Sequence, residues 1–178
     1  MQAVFVAEGW RFCFIGGLAL QRWGEPRETV GVDATLLTGF GHEESYIETV
    51  RRAFEARIEH VAEFARARRV LLLRAKSGVG LDIALGALPF EEEVVARSSL
   101  FTFPMDVSPR TCSAEDLIVL KAFAAREKDW IGIEGVIIRQ GAAIDWSYVQ
   151  AQLGPLAELK EQPEILDELE RRRRLLEA

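Results

Sequence analysis

Short apolar runs separated by glycine-containing turns alternate with helical patterns in the first two thirds of the chain. The runs predict strands at residues 12–15, 30–37, 70–73, 80–85 and 100–103, the last at a sheet edge. The intervening pattern predicts helices at residues 18–23, 43–64 (as two helices) and 89–96. Because a Lys-Ser-Gly turn separates strands 70–73 and 80–85, these two strands are predicted to form a hairpin.

The last third of the chain, from Ser113 onward, has a helical pattern throughout. Breaks between helices are expected near Lys128, Gly141, Gly154 and Pro163. The predicted fold class is therefore α+β, with a mixed-sheet core at residues 1–112 and a helical region at residues 113–178 that packs on it.

Composition narrows the class of protein. The 178 residues are 49% apolar and 28% charged, which is typical of a globular chain with one main domain. The net charge of −6 argues against a protein that coats nucleic acid, although it leaves room for a local basic patch. We find no apolar run of the roughly 18 residues that a membrane helix needs, and no basic segment at the start. These features favour a cytoplasmic protein that does not contact a membrane.

Histidine and cysteine are too scarce to suggest thiol or zinc chemistry. Cys13 and Cys112 lie far apart in the sequence and are expected to be buried, inert thiols. His42 and His60 lack the paired spacing of zinc ligands. If the chain is an enzyme, its tools are therefore carboxylates, lysines and a hard metal ion.

Two of the predicted strands each carry one aspartate, a residue that is depleted in strand interiors. Side chains alternate between the two faces of a strand. Asp33 therefore lies opposite the apolar face of strand 30–37, and Asp82 lies opposite the apolar face of strand 80–85. If the two strands are neighbours, both carboxylates converge on one cation. The alternative is a pair of exposed aspartates on a solvated sheet face, and the pattern alone does not decide between them.

A diglycine, Gly16-Gly17, joins the first predicted strand to the helix that follows. Glycine lets the backbone approach a ligand closely, and the start of a helix offers N–H groups to a phosphate. Such a turn also commonly links a strand to a helix without binding anything, so it is a weak signal by itself.

The order of these features is more specific than any one of them. Residues 16–19 (Gly-Gly-Leu-Ala) and 26–29 (Pro-Arg-Glu-Thr) precede the strand with Asp33 and the later strand with Asp82. This order resembles the minimal nucleotidyltransferases of the DNA polymerase β superfamily and, more narrowly, the AbiEii-type toxin nucleotidyltransferases. The helix that begins at residue 114 is similar to the helical motif downstream in that family.

The resemblance implies a mixed sheet that holds three carboxylates and two Mg²⁺ (or Mn²⁺) ions. In that scheme Asp33 and Asp82 are the second and third metal ligands, and Gly16 and Gly17 grip the phosphates of an NTP. A nucleoside monophosphate would move to a hydroxyl of tRNA, another RNA or a protein, and pyrophosphate would leave. The family likeness also implies a toxin–antitoxin setting with an antitoxin partner.

Basic residues complete the implied nucleotide site. Lys121 lies in an apolar helix, and Lys128 follows seven residues later, on the same face if the helix continues. The resemblance assigns Lys121 a catalytic role and both lysines a position facing the nucleotide's phosphates. The alternative for Lys121 is a lysine that extends to the rim of a buried helix. Arg27 fits a phosphate contact and a structural salt bridge equally well.

One residue departs from the family pattern. The first metal-binding carboxylate should stand at position 31, where this chain has Gly31. A glycine weakens a strand interior and packs nothing, so it is not explained by the strand itself. Two function hypotheses follow: a metal-dependent nucleotidyltransferase, or a catalytically impaired relative that binds nucleotide or a partner. A purely structural protein would leave the strand aspartates unexplained.

Overall fold

The computed structural model describes residues 1–26, 28–104 and 106–177. Over these residues the chain has the predicted α+β architecture, with seven strands in one mixed sheet. The strands are β1 (Phe12–Ile15), β2 (Gly31–Leu37), β3 (Glu55–Ala56), β4 (Val70–Arg74), β5 (Gly80–Gly86), β6 (Ser99–Leu100) and β7 (Arg110–Thr111). The helices are α1 (Gln2–Ala7), α2 (Gly16–Trp23), α3 (Glu43–Ala53), α4 (Val61–Arg68), α5 (Pro89–Ala96), α6 (Ala114–Ala124), α7 (Glu127–Gln140), α8 (Trp146–Leu159) and α9 (Glu164–Glu177), with a 3₁₀ turn at Gly141–Ala143.

The strands follow the order β3-β4-β5-β2-β1-β7-β6 across the sheet. β2 pairs with β5, and β1 with β7, in parallel, while the other neighbours are antiparallel. The predicted hairpin of β4 and β5 is confirmed, and β6 lies at one edge of the sheet, as expected of the strand predicted at residues 100–103. The order places β2 and β5, which carry the two aspartates, next to each other.

One face of the central strands forms the main apolar core. The alternating positions of β2, β4 and β5 are buried against α1, α3 and α4. Members of this core are Ala34, Leu36, Leu71, Leu73, Leu81, Ile83 and Leu85 from the strands and Phe5, Ile47, Val50, Val61 and Ala65 from the helices. Burial of each large apolar side chain contributes about 1.5–3 kcal/mol. This fixes the faces of β2 and β5, so Asp33 and Asp82 must point to the opposite side of the sheet.

The chain divides into two compact units. One contains Met1–Leu18 and Glu28–Cys112, and the other contains the described residues of Ala19–Arg27 and Ser113–Ala178. The helical unit is built by α6, α7, α8 and α9, which bury apolar residues such as Leu117, Ile133 and Leu153. In the described part of the chain, no helix is both long and apolar enough to span a bilayer. A division into separate domains at residues 112 and 113 stays a prediction.

Two local features differ from the sequence predictions. The two helices predicted at residues 43–64 are present as α3 and α4, but β3 lies between them, because Phe54 turns extended (φ −137°, ψ 150°) and the next residues pair with β4. The break near Gly154 does not occur, since α8 runs through Gly154 and Pro155. Proline removes one helical hydrogen bond, but Leu153 and Ala157 are buried on either side of it and hold the helix to its unit.

Candidate functional site

The two strand aspartates are direct neighbours in the sheet. β2 and β5 run parallel with Asp33 opposite Asp82 in the register. Residues paired in this way point to the same face, and adjacent strands lie about 4.8 Å apart. Asp33 is half-buried, and the Asp82 side chain is 41% exposed. The predicted proximity of the two carboxylates is confirmed by this register, while their role as metal ligands stays a prediction.

The diglycine Gly16-Gly17 lies directly against the Asp33 carboxylate. β1 ends at Ile15, which pairs with Asp33 across the antiparallel β1–β2 ladder. Gly16 then turns the chain with φ +57°, and the backbone N–H of Gly17 donates to Asp33 Oδ2 over 3.4 Å. A Cβ at position 16 would lie 2.1 Å from Asp33 Oδ2, so only glycine fits there. The close approach explains why this position is a glycine.

The start of α2 is therefore part of the site. The sequence predicts a turn at Gly16-Gly17 and a helix from residue 18, whereas the helix already begins at Gly16. Its first turn lies beside the Asp33 carboxylate, which places the positive end of the helix dipole near the two aspartates. Gly17 is tightly packed too, since a Cβ there would lie 2.4 Å from Thr29 Oγ1.

Gly31 lies on the same face as the aspartates and pairs with Gly80 of β5. A Cβ at position 31 would meet only the Gly80 backbone, with its oxygen 3.3 Å away. Among residues 1–26, 28–104 and 106–177, no group of three or more Asp, Glu, His or Cys residues is placed to hold a metal ion. Mg²⁺ often binds one or two carboxylates together with waters and substrate phosphates. Asp33 and Asp82 fit one such ion but not a three-carboxylate clamp for two.

Arg57 is a member of the site that sequence reasoning missed. Its Nη2 donates to Asp82 Oδ1 over 2.6 Å, and its side chain is 35% exposed. Nη1 lies 2.7 Å from where a Cβ on Gly80 would be, so the guanidinium covers the backbone of β5. Nothing in the sequence indicates this contact, because it depends on the order of β3, β4 and β5 in the sheet.

Comparison of the whole structure with solved proteins decides the fold. The lincosamide antibiotic adenylyltransferase LnuA, solved with lincomycin bound, superposes with a TM-score of 0.52 at 14% identity, over 76% of this chain and 90% of LnuA. An antigenic nucleotidyltransferase-like protein from Paracoccidioides brasiliensis superposes with a TM-score of 0.50 at 14% identity, over 93% of this chain and 87% of that protein. The chain has a nucleotidyltransferase fold.

No protein-family model and no curated protein sequence matches the chain. The narrower likeness to AbiEii-type toxins therefore rests on the sequence motifs alone. Asp33 and Asp82 lie on neighbouring strands of this mixed sheet, and their assignment as the second and third metal ligands stays a prediction.

The helical unit of this nucleotidyltransferase fold contains both predicted lysines. Lys121 is buried, with its Nζ 3.1 Å from Asp129 Oδ1, and the two side chains are only 6% and 4% exposed. Arg126 also donates to Asp129, over 2.5 Å. Burial would raise the pKa of the Asp129 carboxyl, but the hydrogen bond from Arg126 and the charge of Lys121 outweigh it and lower this pKa.

Lys121 and Lys128 do not share one helix face, because the helix does not continue between them and the predicted break near Lys128 is present. α6 ends at Ala124, Ala125 adopts a left-handed conformation, and α7 begins at Glu127. Lys121 is consequently buried at the end of one helix, and Lys128 is exposed at the start of the next. The contact with Asp129 gives Lys121 a structural role, and phosphate contacts by either lysine stay predictions. The remaining basic residue of the predicted site, Arg27, lies outside the described residues.

Proposed function

We propose that the chain is a nucleotidyltransferase that moves a nucleoside monophosphate from an NTP to a hydroxyl group. Asp33 and Asp82 are proposed to hold one Mg²⁺ or Mn²⁺ ion together with phosphate oxygens of the nucleotide. The observation that carries this proposal is the in-register pair of carboxylates on one sheet face, beside the diglycine at the start of α2. The fold is consistent with this activity, and the donor set fits the metal.

Each part of the site has a defined task in this proposal. Asp33 and Asp82 position the nucleotide through the ion, and Gly16 and Gly17 let phosphates approach the first turn of α2. Asp33 and Asp82 would hold an ion that neutralises phosphate charge and polarises the α-phosphorus. The acceptor hydroxyl oxygen forms a bond to the α-phosphorus and gives up its proton to water. The bond from the α-phosphorus to the bridging oxygen of the β-phosphate breaks, and pyrophosphate leaves in line.

The acceptor is proposed from the sequence motifs. Their resemblance to AbiEii-type toxins favours an RNA end, including tRNA, or a protein hydroxyl, in a toxin–antitoxin setting with an antitoxin partner. The likeness to LnuA, a structure with lincomycin bound, adds a small hydroxylated compound as an acceptor class to be assayed. A transfer assay with a labelled α-phosphate distinguishes the three classes by the size of the labelled product.

Gly31 supports a second candidate, a relative that binds nucleotide with weak turnover. In the described part of the chain no third carboxylate joins Asp33 and Asp82, so a second ion that would activate the acceptor lacks its ligand at position 31. Nucleotide binding needs only the first ion and the phosphates. We therefore expect Mg²⁺-dependent NTP binding to persist while transfer is slow.

Calorimetric titration of the full chain with each NTP, with and without Mg²⁺, tests the proposal. We expect Mg²⁺-dependent binding that is abolished in Asp33→Asn and in Asp82→Asn, because an amide is a far weaker ligand for a hard cation. Asp167→Asn, an exposed aspartate on α9, is the matched control and should bind as the unchanged chain does. Absence of Mg²⁺-dependent binding to any NTP by the unchanged chain would reject the proposal.

A further inference from the structure

Arg57 belongs to the row of residues that contains both aspartates. Its backbone N–H donates to the carbonyl of Leu72 over 3.1 Å, directly after the β3–β4 pairing. Leu72 pairs with Asp82, and Asp82 pairs with Asp33. The row thus runs from Arg57 across β4 and β5 to β2, and the arginine side chain reaches along it to the proposed metal ligand.

The guanidinium occupies the space that the missing side chain of Gly80 leaves open. Arg57 Nη1 lies against the backbone of Gly80. A Cβ added to Gly80 would be only 2.7 Å from this nitrogen. Gly80 pairs with Gly31, so neither strand projects a side chain at this level of the sheet. A positive charge therefore lies one strand away from Gly31, the position at which the family pattern has its first carboxylate.

The ion pair between Arg57 and Asp82 is half-exposed, with side chains 35% and 41% accessible. Pairs of this kind stabilise a fold only slightly, so the structure does not depend on it. The guanidinium and a divalent cation compete for the same carboxylate, because two positive charges repel each other at contact distance. Arginine is also the side chain best suited to bind phosphate oxygens in pairs.

We propose that Arg57 alternates between two partners: it pairs with Asp82 when no nucleotide is bound, and with the triphosphate once a metal–nucleotide complex takes over Asp82. The inference deepens the proposed function and rests on it. It assigns a nucleotide-binding role to the residue that follows β3, and it makes the site selective for the metal–triphosphate complex over the metal ion alone. The guanidinium of Arg57 exchanges one ion-pair partner for another, and no covalent bond forms or breaks.

Two titrations of Arg57→Ala test this inference. Mn²⁺ alone, followed by electron paramagnetic resonance, should bind roughly three- to tenfold more tightly because a competing cation has been removed. Mg²⁺ with inorganic tripolyphosphate, a probe that needs no base preference, should bind about tenfold more weakly because a charge-assisted contact is lost. A residue with a purely structural role would not move the two affinities in opposite directions.

Arg66→Ala is the matched control, because Arg66 is a half-exposed arginine on α4 that pairs with Glu44 rather than with a site residue. It should leave both affinities unchanged. If Arg57→Ala shifts both affinities in the same direction, shifts neither, or behaves as Arg66→Ala does, the inference is overturned.

Asp82→Asn separates this inference from the proposed function. Loss of Mn²⁺ binding in Asp82→Asn, together with unchanged affinities in Arg57→Ala, would overturn only the assignment of Arg57. Full Mn²⁺ binding by Asp82→Asn would show that Asp82 is not a metal ligand, and it would overturn the proposed function as well.

Discussion

At the scale of single residues, two glycines in the site have opposite physical meanings. Gly16 is dictated by the structure, because it adopts φ +57° and any Cβ would collide with the Asp33 carboxylate. Gly31 carries no such conformational demand, and a Cβ there meets the Gly80 oxygen at 3.3 Å. That distance is short, so a side chain at position 31 requires the backbone of the β2–β5 pair to shift by a few tenths of an ångström.

A carboxylate introduced at position 31 should raise the rate of nucleotidyl transfer. We expect Gly31→Asp to raise the rate of nucleotidyl transfer by about tenfold or more, because substitutions around a metal ion commonly change activity by that factor. The added carboxylate lies on the face of Asp33 and Asp82 and can complete a site for a second ion. The measurement is transfer of a labelled α-phosphate to RNA, protein or a small hydroxylated acceptor.

Gly31→Asn adds nearly the same volume without the charge and is the control for this gain. It should transfer no faster than the unchanged chain. Equal, nonzero transfer by the unchanged chain and by Gly31→Asp would show that position 31 does not face the reacting groups, and the assignment of strand β2 would be wrong.

At the scale of elements, the junction of α6 and α7 is tied by a buried ion pair. Lys121 near the end of α6 meets Asp129 in the first turn of α7, and Arg126 between the helices donates to the same carboxylate. Gly132 makes room for the lysine, since a Cβ there would lie 3.1 Å from Lys121 Cε. The pair joins two helices of one unit and accounts for the lysine within the apolar segment at residues 117–124 of α6.

Removal of this lysine should destabilise the fold. We expect Lys121→Met to lower the free energy of unfolding by about 1–3 kcal/mol, because the buried Asp129 loses one of its two charged partners. Since the pKa of Asp129 is lowered from 3.8, the carboxylate stabilises the folded state above that pH. The difference between the variant and the unchanged chain should therefore shrink as the pH falls below about 4.

Urea titrations between pH 3 and pH 7 measure this effect, with the exposed Lys128→Met as control. The control should stay within about 0.5 kcal/mol of the unchanged chain. Unchanged stability of Lys121→Met, together with loss of Mg²⁺–tripolyphosphate binding, would contradict the structural role and return Lys121 to the nucleotide site.

The last helix carries four consecutive arginines, and its own unit supplies partners for them. Arg171 and Arg172 both pair with Glu168, and these contacts lower the pKa of that carboxyl to about 2. Arg173 and Arg174 both pair with Glu170. These intramolecular pairs explain the basic run without an RNA ligand, so α9 adds no support for an RNA acceptor.

At the scale of the whole molecule, periodicity was enough to predict the longer strands and most of the helices, but not the order of the strands in the sheet. Strict alternation set the faces of β2 and β5, and the turn after β4 set the hairpin. The positions of Asp33 and Asp82 followed from the same alternation, because an aspartate opposite an apolar face must point away from the core. Local pattern thus predicted which residues face the site.

The features that sequence reasoning missed depend on tertiary structure. The two-residue strand β3 has no periodicity of its own and exists because β4 offers it an edge. The contact of Arg57 with Asp82 crosses one intervening strand, and the partner of Lys121 lies beyond a helix break. α8 passes through Pro155 because its neighbouring apolar residues are buried. In each case, contacts with other parts of the fold decide the structure, and the local sequence does not reveal them.

The proposed function requires one divalent ion between Asp33 and Asp82. Anomalous diffraction from a crystal soaked with Mn²⁺ and an NTP locates that ion directly. We expect a Mn²⁺ peak within coordination distance, about 2–2.5 Å, of carboxylate oxygens of both Asp33 and Asp82, with nucleotide phosphate completing its ligands. A bound nucleotide whose Mn²⁺ ion contacts neither aspartate would contradict the proposed function.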